Sequence, residues 1–423
     1  MNNDLSMNLF AVDPTRRPLD YETGNFAHIP GLLQGLLGVE NDSPLSPQRF
    51  GYRPGQFQKV IFLFLDAFGW NVYSYFLNRR NRILGRLVDK GQVLKITSQF
   101  PSTTAAHVTT FSTGQAVGQH GVFEWQYYEP VVDEVIVPLL FSYAGEKQRD
   151  TLRDAYVDPC DILPTHTFFQ DLQDAGIPTY SYVPREYIKT AYNQVMAAGS
   201  EARGYYTLAE GLTTLKRQVN KSEGPALFHF YTPFIDALAH KNGPFSYQSL
   251  AEADATLMLL DKFLLHPLRG RDDTLIVISA DHGQVHVDYR STFYINLQPE
   301  FQELRCYLRV NKRGRMLTPG GSPRDVFLYV RDEYVGRAQS LLRKMLGGRA
   351  DVLRIGRLID EGLFGMTEPS ADFMKRVGNL VILPRGDETV WWYEKDRLEV
   401  KYNGLHGGLS RDEMEIPLIL YRP

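Results

Sequence analysis

The stretch KVIFLFLD, residues 59–66, decides the fold, because a mainly apolar run of strand length ends there at an aspartate. Continuous Val, Ile, Leu and Phe residues, without alternation, are typical of a strand that is covered on both faces. Similar runs recur, and most adjoin segments in which apolar residues have helical spacing. They are QVLKITS (92–98), IPTYSYVP (177–184), ALFHFYT (226–232), DTLIVISA (273–280) and IPLILY (416–421). The pattern predicts an α/β fold with a largely parallel central sheet and helices on both faces.

Two regions interrupt this rhythm. Residues 122–160 are rich in aromatic side chains and then loop-like, which predicts an aromatic loop insertion near the functional site. Residues 296–400 contain strand-like runs around an amphipathic helical segment, which predicts a small inserted α+β cap. The expected α/β core is then formed by residues 1–295 and 401–423.

The bulk composition is that of a large globular chain, with 423 residues of which 43% are hydrophobic and 22% are charged. The formal net charge of −3 provides no general attraction to nucleic acids or anionic membranes, and no nucleic-acid groove is evident. Two cysteines, Cys160 and Cys306, do not make a disulfide framework and fit a reducing compartment. The sequence has no signal-peptide pattern and no apolar run of the roughly 18 residues that a spanning helix needs. We therefore expect a soluble, cytoplasmic protein of open oligomeric state.

Carboxylates follow three of the predicted strands. Asp66 and Asp281 stand directly at strand ends, and Asp236 lies just beyond ALFHFYT. In open α/β sheets, ligands bind outside the carboxyl ends of the strands, so these side chains are expected to converge. A single aspartate at a strand end is more often a helix cap or a turn former, and this interpretation stays open for each one taken separately.

Three histidines accompany these aspartates. DALAH sets His240 four residues after Asp236, SADHG sets His282 beside Asp281, and NGLHGG sets His406 between glycines. A lone histidine is usually structural, but imidazoles together with carboxylates suit zinc or a similar divalent ion. Six such ligands exceed the four that one tetrahedral ion uses, so the sequence predicts two ions. Two metals about 4 Å apart can clamp the attacking and leaving oxygens of a phosphoryl displacement.

The segment FPSTTAAHVTTFSTG, residues 100–114, places hydroxyl and small residues directly after a predicted strand. One interpretation is a capped helix that packs tightly through its small residues. The other is a strand-to-helix turn that presents one hydroxyl as a nucleophile, activated by a metal ion. In the second case the start of the helix would aim backbone N–H groups at an anion.

Five motifs, in this order, resemble the type I phosphodiesterase/nucleotide pyrophosphatase family of the alkaline phosphatase superfamily. They are LDAFGW, PSTTAAHVTTFSTG with QHGV just after it, DALAHKNGP, SADHGQ and GLHGG, and they span nearly the whole chain. The resemblance implies an alkaline phosphatase-like fold and a two-metal hydrolase of small phosphate diesters or pyrophosphates. It also implies a covalent threonine intermediate, with zinc as the expected metal and manganese or iron as alternatives.

The resemblance implies a role for each motif residue. Thr104 matches the nucleophile, and its spacing of ten residues from Gly114 favours it over Thr103. One metal would then be bound by Asp66, Thr104, Asp281 and His282, and the other by Asp236, His240 and His406.

Two departures from the family pattern affect the substrate. His107 stands where an asparagine usually contacts a phosphate oxygen, so that contact is either made by His107 or absent. Ala105 stands where an aromatic residue often holds the nucleobase, which leaves a preference for nucleotides open. The aromatic residues Trp125, Tyr127 and Tyr128 could stack on a substrate instead, or be buried for packing.

Three rival functions remain. A phosphomonoesterase of the same superfamily comes first, and it would need further cations near Thr104, for which Arg313, Arg315 and Arg324 of the insertion are candidates. A phosphonate or sulfate ester hydrolase comes next, although the sulfatase motif C-x-P-x-R is absent from the sequence. The most remote is an inactive, metal-stabilised binding protein, against which stands the presence of all seven matched residues.

Overall fold

A seven-stranded sheet forms the centre of the protein, whose structure, a computed structural model, describes residues 9–423. In chain order, the strands of these residues are β1 (Lys59–Leu65), β2 (Gly91–Thr97), β3 (Tyr127–Glu129), β4 (Glu134–Val137), β5 (Ser142–Tyr143), β6 (Thr179–Pro184), β7 (Ser200–Tyr205), β8 (Ala226–Thr232), β9 (Thr274–Ser279), β10 (Val285–His286), β11 (Phe293–Tyr294), β12 (Gly320–Ser322), β13 (Asp325–Leu328), β14 (Ala350–Arg354), β15 (Leu380–Pro384), β16 (Val390–Trp391), β17 (Gly404–Leu405) and β18 (Glu415–Tyr421).

The central sheet has the strand order β2-β18-β9-β1-β8-β6-β7. Strand β1 pairs in parallel with β8 and β9, and β6 pairs in parallel with β8 and β7. The last strand, β18, runs antiparallel to both of its neighbours, β9 and β2. The predicted α/β class with a largely parallel sheet is confirmed.

The apolar runs of the sequence locate the central strands well and the edge strands less well. Strands β1 and β8 are buried along their whole length and keep their predicted bounds. Strand β2, expected to be buried, lies at one edge, where Gln92 and Lys95 are exposed to solvent. Strand β7 forms the other edge and was missed, because its sequence SEARGY contains no apolar run.

Helices cover both faces of the sheet. In chain order they are α1 (Leu9–Val12), α2 (Ile29–Leu36), α3 (Trp70–Asn78), α4 (Arg82–Lys90), α5 (Thr104–Thr113), α6 (Val117–His120), α7 (Thr151–Asp154), α8 (Phe168–Asp174), α9 (Ala191–Met196), α10 (Leu208–Lys221), α11 (Phe234–Asn242), α12 (Tyr247–Leu260), α13 (Phe301–Leu304), α14 (Val335–Leu346), α15 (Ile355–Asp360), α16 (Ala371–Arg376) and α17 (Arg411–Met414). Phe111 of α5 and Phe169 of α8 pack against His229 on one face of β8. Gly211 of α10 lies against Phe230 on the other face. Within residues 9–423, none of the helices combines the length and the apolar character that crossing a bilayer requires.

Residues 296–400, called the insert below, build a second sheet. Its four antiparallel strands have the order β12-β13-β15-β14. Helix α14 packs on it through Leu342, in an apolar cluster with Val326, Leu328 and Ile382. A short pairing of β11 with β16 joins the insert to the segment before it, and β10 pairs with β17, which brings together the segments that precede and follow the insert.

The aromatic segment 122–160 is more regular than the loop that the sequence predicts. Strands β3, β4 and β5 form a small antiparallel sheet, and Asp133, with a left-handed φ of 54°, occupies the turn between the first two. Phe123 packs on Phe327 and Phe373 of the insert. Tyr127 and Tyr128 are buried, whereas Trp125 is 41% exposed. The first two are therefore packing residues, and Trp125 is free to meet a ligand.

Candidate active site

The three predicted aspartates meet at the carboxyl edge of the central sheet. Asp66 follows β1 directly, Asp281 lies two residues after the end of β9, and Asp236 lies in the first turn of α11, just beyond β8. Because these three strands are parallel neighbours, their ends bring the carboxylates together. Ala67, next to Asp66, has a left-handed φ of 58°, and its N–H donates to Asp281 Oδ1 at 3.1 Å. This unusual backbone turn ties two of the aspartates to each other.

The first cluster contains Asp66, Asp281, His282 and Thr104. His282 Nε2 lies 3.6 Å from Asp66 Oδ1, 3.3 Å from Asp281 Oδ2 and 3.1 Å from Thr104 Oγ1. Thr104 Oγ1 lies 3.5 Å from Asp66 Oδ1. The two carboxylates and His282 are fully buried.

The second cluster contains Asp236, His240 and His406. Asp236 Oδ1 lies 3.4 Å from His240 Nε2 and 3.7 Å from His406 Nε2, and the two imidazole nitrogens are 3.1 Å apart. The His406 ring stacks on the His282 ring, with centroids 3.7 Å apart. This contact makes the two clusters immediate neighbours.

Hydrogen bonds fix the same tautomer in all three histidines. Nδ1 of His240 lies 2.8 Å from Gly404 O, Nδ1 of His282 lies 3.0 Å from Gly283 O, and Nδ1 of His406 lies 2.8 Å from Ser102 O. A carbonyl oxygen accepts only, so each Nδ1 carries the proton and each Nε2 presents a lone pair to the cluster. Bonding of the far ring nitrogen to a carbonyl is the usual support of a metal-ligating histidine.

This arrangement fits divalent metal ions. The lone pairs of His240 and His406 Nε2 face each other at 3.1 Å, a repulsive contact unless a cation lies between them. Asp281 Oδ2 is buried and has no hydrogen-bond partner among residues 9–423. Neighbouring ligands of a tetrahedral ion with bonds of about 2.0–2.1 Å are roughly 3.3 Å apart, which is close to the spacings in both clusters. Asp66, Asp281 and His282 could hold one ion with Thr104, and Asp236, His240 and His406 could hold the other.

The electrostatics of the clusters point the same way. Burial, together with the charges of Asp281 and Asp236, holds the pKa of Asp66 well above its usual range. Burial also raises the pKa of Asp281 to about 7, and burial with the neighbouring His240 lowers the pKa of His406 to about 4. The carboxylates of Asp66 and Asp281 repel each other, while burial favours the neutral imidazole of His282 and His406. A divalent ion would stabilise both of the forms that bind metals, the carboxylate and the neutral imidazole.

The hydroxyl-rich segment packs as a tight helix along most of its length but not at its first residue. Helix α5 begins at Thr104, and the preceding Thr103 makes no side-chain cap, so the first-turn N–H groups remain available to an anion. Further along, the Thr109 and Thr113 hydroxyls donate to the carbonyls of Ala105 and Thr109 at 2.7 and 2.8 Å, as in a tightly packed helix. Thr104 instead faces the first cluster.

His107 does not line the cavity, and substrate binding by this residue stays a prediction that its surroundings do not favour. His107 is fully buried, and its Nδ1 lies 2.7 Å from Thr103 O. Its Nε2 accepts from Gln99 N at 3.0 Å and lies 2.8 Å from Ser98 Oγ, so both ring nitrogens have partners within the protein. Burial lowers the pKa of His107 to about 3, so the ring is neutral and no phosphate-binding cation. His107 instead joins the end of β2 to the start of α5.

A cavity of about 850 Å³ opens onto both clusters. Asp66, Thr104, Asp236, His240 and His406 line its floor. Ligand pockets usually have roughly 300–1,000 Å³, so this one has room for much more than a phosphoryl group.

Several cations also line the cavity, but they are not the arginines that the sequence suggested. Lining cations are Lys147, Arg149, Arg397 and Lys401. Arg397 pairs with Glu394 at 3.1 Å, and Lys401 pairs with Glu399. Arg313 and Arg315 do not line this cavity, and Arg324 is buried elsewhere.

Residues 60–409 match the sequence profile of the type I phosphodiesterase / nucleotide pyrophosphatase family. The chain belongs to this family. No curated protein has a significantly similar sequence. The family match over residues 60–409 confirms the resemblance that the five motifs indicate.

Solved structures share the fold at low identity. Human ectonucleotide pyrophosphatase / phosphodiesterase 5 is 13% identical, with a TM-score of 0.63 over 86% of this chain and 88% of that chain. The murine enzyme of the same name, as an inactive variant in complex with AMP, is also 13% identical, with a TM-score of 0.62 over the same shares. Phosphonoacetate hydrolase from Sinorhizobium meliloti 1021, in complex with phosphonoacetate, is 17% identical, with a TM-score of 0.60 over 88% of this chain and 92% of that chain. The fold is that of the alkaline phosphatase superfamily.

Sequence reasoning missed the residues that hold the candidate metal ligands of the two clusters in place. Tyr231 OH donates to Asp66 Oδ2 at 2.5 Å, and Gln284 Nε2 donates to Asp236 Oδ1 at 2.5 Å. Gly283 is required because a Cβ there would stand 2.1 Å from Asp412 O. Gly283 and Gln284 lie inside the SADHGQ motif, which was the one sequence feature that could have pointed to them. None of the five motifs contains Tyr231.

A buried ion pair supports the loop after His406. Arg324 Nε and Nη2 each donate to Glu413 at 3.0 Å, and Glu413 also accepts from Gly408 N at 3.0 Å and Ser410 N at 3.2 Å. Burial opposes ionisation of Glu413, but the Arg324 guanidinium outweighs it and holds the pKa of Glu413 below its usual range. The insert therefore fixes a loop of the second cluster.

A second acidic contact between the insert and the core lies behind Thr103. Glu124 and Asp325 are fully buried, and one oxygen of each carboxyl has no hydrogen-bond partner among residues 9–423. Burial raises the pKa of Glu124 to about 8, and burial with the Glu124 charge holds that of Asp325 well above its usual range. Burial and mutual repulsion therefore favour the protonated form of these two carboxyls.

Proposed function

We propose that this protein is a two-metal hydrolase of phosphate diesters or pyrophosphates that acts through a covalent intermediate on Thr104. The observation that carries the proposal is the convergence of seven motif residues, with three Nε2 lone pairs and three carboxylates, in two adjoining clusters, five of whose residues line the cavity. Membership of the type I phosphodiesterase / nucleotide pyrophosphatase family supports the same reaction class.

Thr104 is the proposed nucleophile. Its hydroxyl faces Asp66 and His282 at the start of α5, so an entering phosphoryl group would meet the hydroxyl and the free N–H groups of the helix together. Attack of Thr104 Oγ1 on phosphorus forms the phosphothreonine ester and expels the leaving alcohol or phosphate. Attack of water on that ester then regenerates Thr104, and the two in-line steps together retain the configuration at phosphorus.

The proposed metals are zinc, with manganese or iron as alternatives. Imidazole and carboxylate donors in equal number suit these ions rather than calcium. Bound to the two clusters, the ions would lower the pKa of the Thr104 hydroxyl and neutralise charge on the phosphoryl oxygens.

Diesters are proposed as better substrates than monoesters. A monoester carries an additional negative charge, which further cations near the reacting phosphorus would have to stabilise. His107 is buried and neutral, and Arg324 is paired with Glu413. Arg397 and Lys401 line the cavity but are already paired with carboxylates.

A hydrolase of phosphate monoesters or phosphonates is the second candidate, favoured by Lys147 and Arg149. Both line the cavity in the loop after β5, and an additional anionic group of a small substrate could reach them. The fold is shared with an enzyme whose structure holds phosphonoacetate and with one whose structure holds AMP, so a small phosphorylated substrate is common to both candidates.

The deciding experiment compares kcat/KM for matched nitrophenyl mono- and diesters, with the metal content measured on the same preparation. We expect two divalent ions per chain, a diester advantage, and loss of turnover after chelation that zinc restores. A tenfold monoester advantage, about 1.4 kcal/mol in the barrier, would favour the second candidate instead. Metal-loaded protein that hydrolyses neither ester would favour the inactive binding protein.

A further inference from the structure

Two large aromatic side chains stay exposed inside the cavity. Among the described side chains of residues 9–423, Trp125 and Tyr402 are the exposed large apolar ones that line it, with exposed fractions of 41% and 50%. A half-exposed tyrosine is ordinary on a protein surface, but an open aromatic face within a cavity of ligand size is typical of a binding site. The surroundings of each ring therefore decide what it could contact.

Tyr402 lies against the second cluster. Its ring centroid is 5.2 Å from that of His240, with an angle of 49° between the two planes. The segment 402–406, which also carries His406, is fixed to α11, because Asn403 N donates to His240 O at 2.8 Å and Asn403 Nδ2 donates to Lys241 O at 2.9 Å. The Tyr402 ring is thus held in place from one side and open to the cavity on the other.

The proposed reaction determines which part of a substrate reaches Tyr402. In an in-line displacement, the leaving oxygen stands opposite the attacking oxygen. The attacking oxygen, Thr104 Oγ1, belongs to the first cluster and lies 3.1 Å from His282 Nε2. The stacked rings of His282 and His406 make the second cluster the immediate neighbour of the first. The leaving oxygen of a phosphoryl group held between the clusters therefore points toward the second cluster, beside Tyr402.

Helix α11 leaves space next to the Tyr402 ring. Ala237 stands three residues before His240, on the same side of α11, and lines the cavity as an exposed residue. Because its side chain is a single methyl group, a flat group attached to the leaving oxygen has room to lie over the ring of Tyr402. Offset stacks of two aromatic rings have centroid separations of about 4.5–7 Å and bury one face of each ring.

We propose that Tyr402 binds the leaving group of the substrate and selects phosphate esters whose leaving group carries a planar aromatic ring. This inference rests on the proposed phosphohydrolase function and names the leaving-group class for it. The phosphoryl group stays at Thr104, while the ring of the leaving group stacks on the exposed face of Tyr402. Stacking raises kcat/KM for aryl esters above that for alkyl esters whose leaving groups have the same pKa.

The test compares two series of methyl phosphate diesters on the metal-loaded enzyme. One series has substituted phenols as leaving groups, and the other has fluorinated aliphatic alcohols, chosen so that the leaving-group pKa values overlap. In a plot of log kcat/KM against leaving-group pKa, the aryl line of the wild type should lie above the alkyl line. Tyr402→Ala should lower the aryl line about fivefold more than the alkyl line, whereas Tyr402→Phe, which retains the ring, should keep the wild-type separation.

Two further variants separate stacking from other causes. Tyr402→Leu keeps apolar bulk without a ring and should resemble Tyr402→Ala. Tyr247→Ala removes a tyrosine that is 85% exposed and lies outside the cavity lining, and it should leave both lines unchanged. An equal loss in both series for Tyr402→Ala would mean that Tyr402 only positions His240, and it would overturn the inference.

The remaining outcomes are equally clear. Loss of the separation in Trp125→Ala but not in Tyr402→Ala would assign the aromatic leaving group to Trp125 and overturn the inference. Turnover of both series along one common line would overturn the inference and leave the proposed function intact. Metal-loaded enzyme that hydrolyses no ester of either series would overturn both.

Discussion

Replacing Glu413 by glutamine is expected to destabilise the protein and to abolish binding of the metal ion that we propose for the second cluster. Glu413 accepts four hydrogen bonds at 3.0–3.2 Å, two from Arg324 and one each from the backbone of Gly408 and Ser410. Glutamine keeps one acceptor oxygen and turns the other into a donor that faces donors. About two bonds are lost at about 1–3 kcal/mol each, consistent with the 3–5 kcal/mol typical of a broken buried ion pair.

The loss should reach the metals because the loop from Gly407 to Ser410 directly follows His406. Urea unfolding should show a free energy of unfolding lowered by about 3–5 kcal/mol, and elemental analysis should find one ion per chain instead of two. Glu415→Gln is the matched control, since Glu415 pairs with Lys95 at a partly exposed site. Glu415→Gln should lower the free energy of unfolding by less than about 1 kcal/mol and keep both ions.

Two outcomes would refute this reasoning. One is a Glu413→Gln variant that retains both ions with wild-type stability, which would mean that the loop is held without the ion pair. The other concerns the double variant Arg324→Met/Glu413→Leu. Replacing both partners with apolar side chains should recover most of the lost stability, and a double variant no more stable than Glu413→Gln would assign the damage to packing.

Three further predictions concern the nucleophile, a buried carboxyl and a close contact. Thr104→Ala should abolish turnover with an unchanged melting temperature, while Thr103→Ala should keep measurable turnover; the reverse result in the same nitrophenyl assay would identify Thr103 as the nucleophile. The pKa of Glu124, raised by burial from 4.5 to about 8, means that the native state holds a proton that the unfolded chain releases, so the free energy of unfolding should fall as pH rises between those values. Glu124→Gln should lack that slope in urea unfolding at several pH values, and an unchanged slope would assign the pH dependence to other groups. Gly283→Ala, whose Cβ would stand 2.1 Å from Asp412 O, should lower the free energy of unfolding by about 1–3 kcal/mol or more and reduce the metal content. Gly356→Ala, in a helix with open space around it, is the control and should change neither stability nor metal content. Equal effects of the two substitutions would show that the close contact at Gly283 is not the cause.

Sequence reasoning succeeded where a local pattern has one structural solution. The mainly apolar runs of β1 and β8 are typical of buried strands, and parallel strands bring their carboxyl ends together, so Asp66, Asp236 and Asp281 were expected at one edge. The edge strand β7 was not predicted, because one of its sides is exposed to solvent and tolerates polar residues. Its sequence carries no apolar run for that reason.

Side-chain direction was the limit for the site. His107 lies three residues after Thr104 on α5, a spacing that places it on a neighbouring part of the helix surface, yet it turns toward Gln99 and Ser98 below the helix. Only the packing of α5 on the sheet decides this, and no local pattern encodes it. Arg324 is a similar case, because its partner Glu413 lies 89 residues away in the chain.

The insert has a consequence for how this enzyme could be shortened or recombined. It supplies Ser322, whose hydroxyl lies 3.3 Å from His406 O, and Gly407 has a left-handed φ of 125° and leaves no room for a Cβ beside Ser322 and Asp325. A chain trimmed of residues 296–400 would therefore keep the sheet that carries Asp66 and Asp281 but release the segment that carries His406. Exchanging the insert with that of a relative would also exchange Ser322, Arg324 and Asp325, which contact residues 406–413, so we expect the exchange to succeed only if residues 404–413 are exchanged as well.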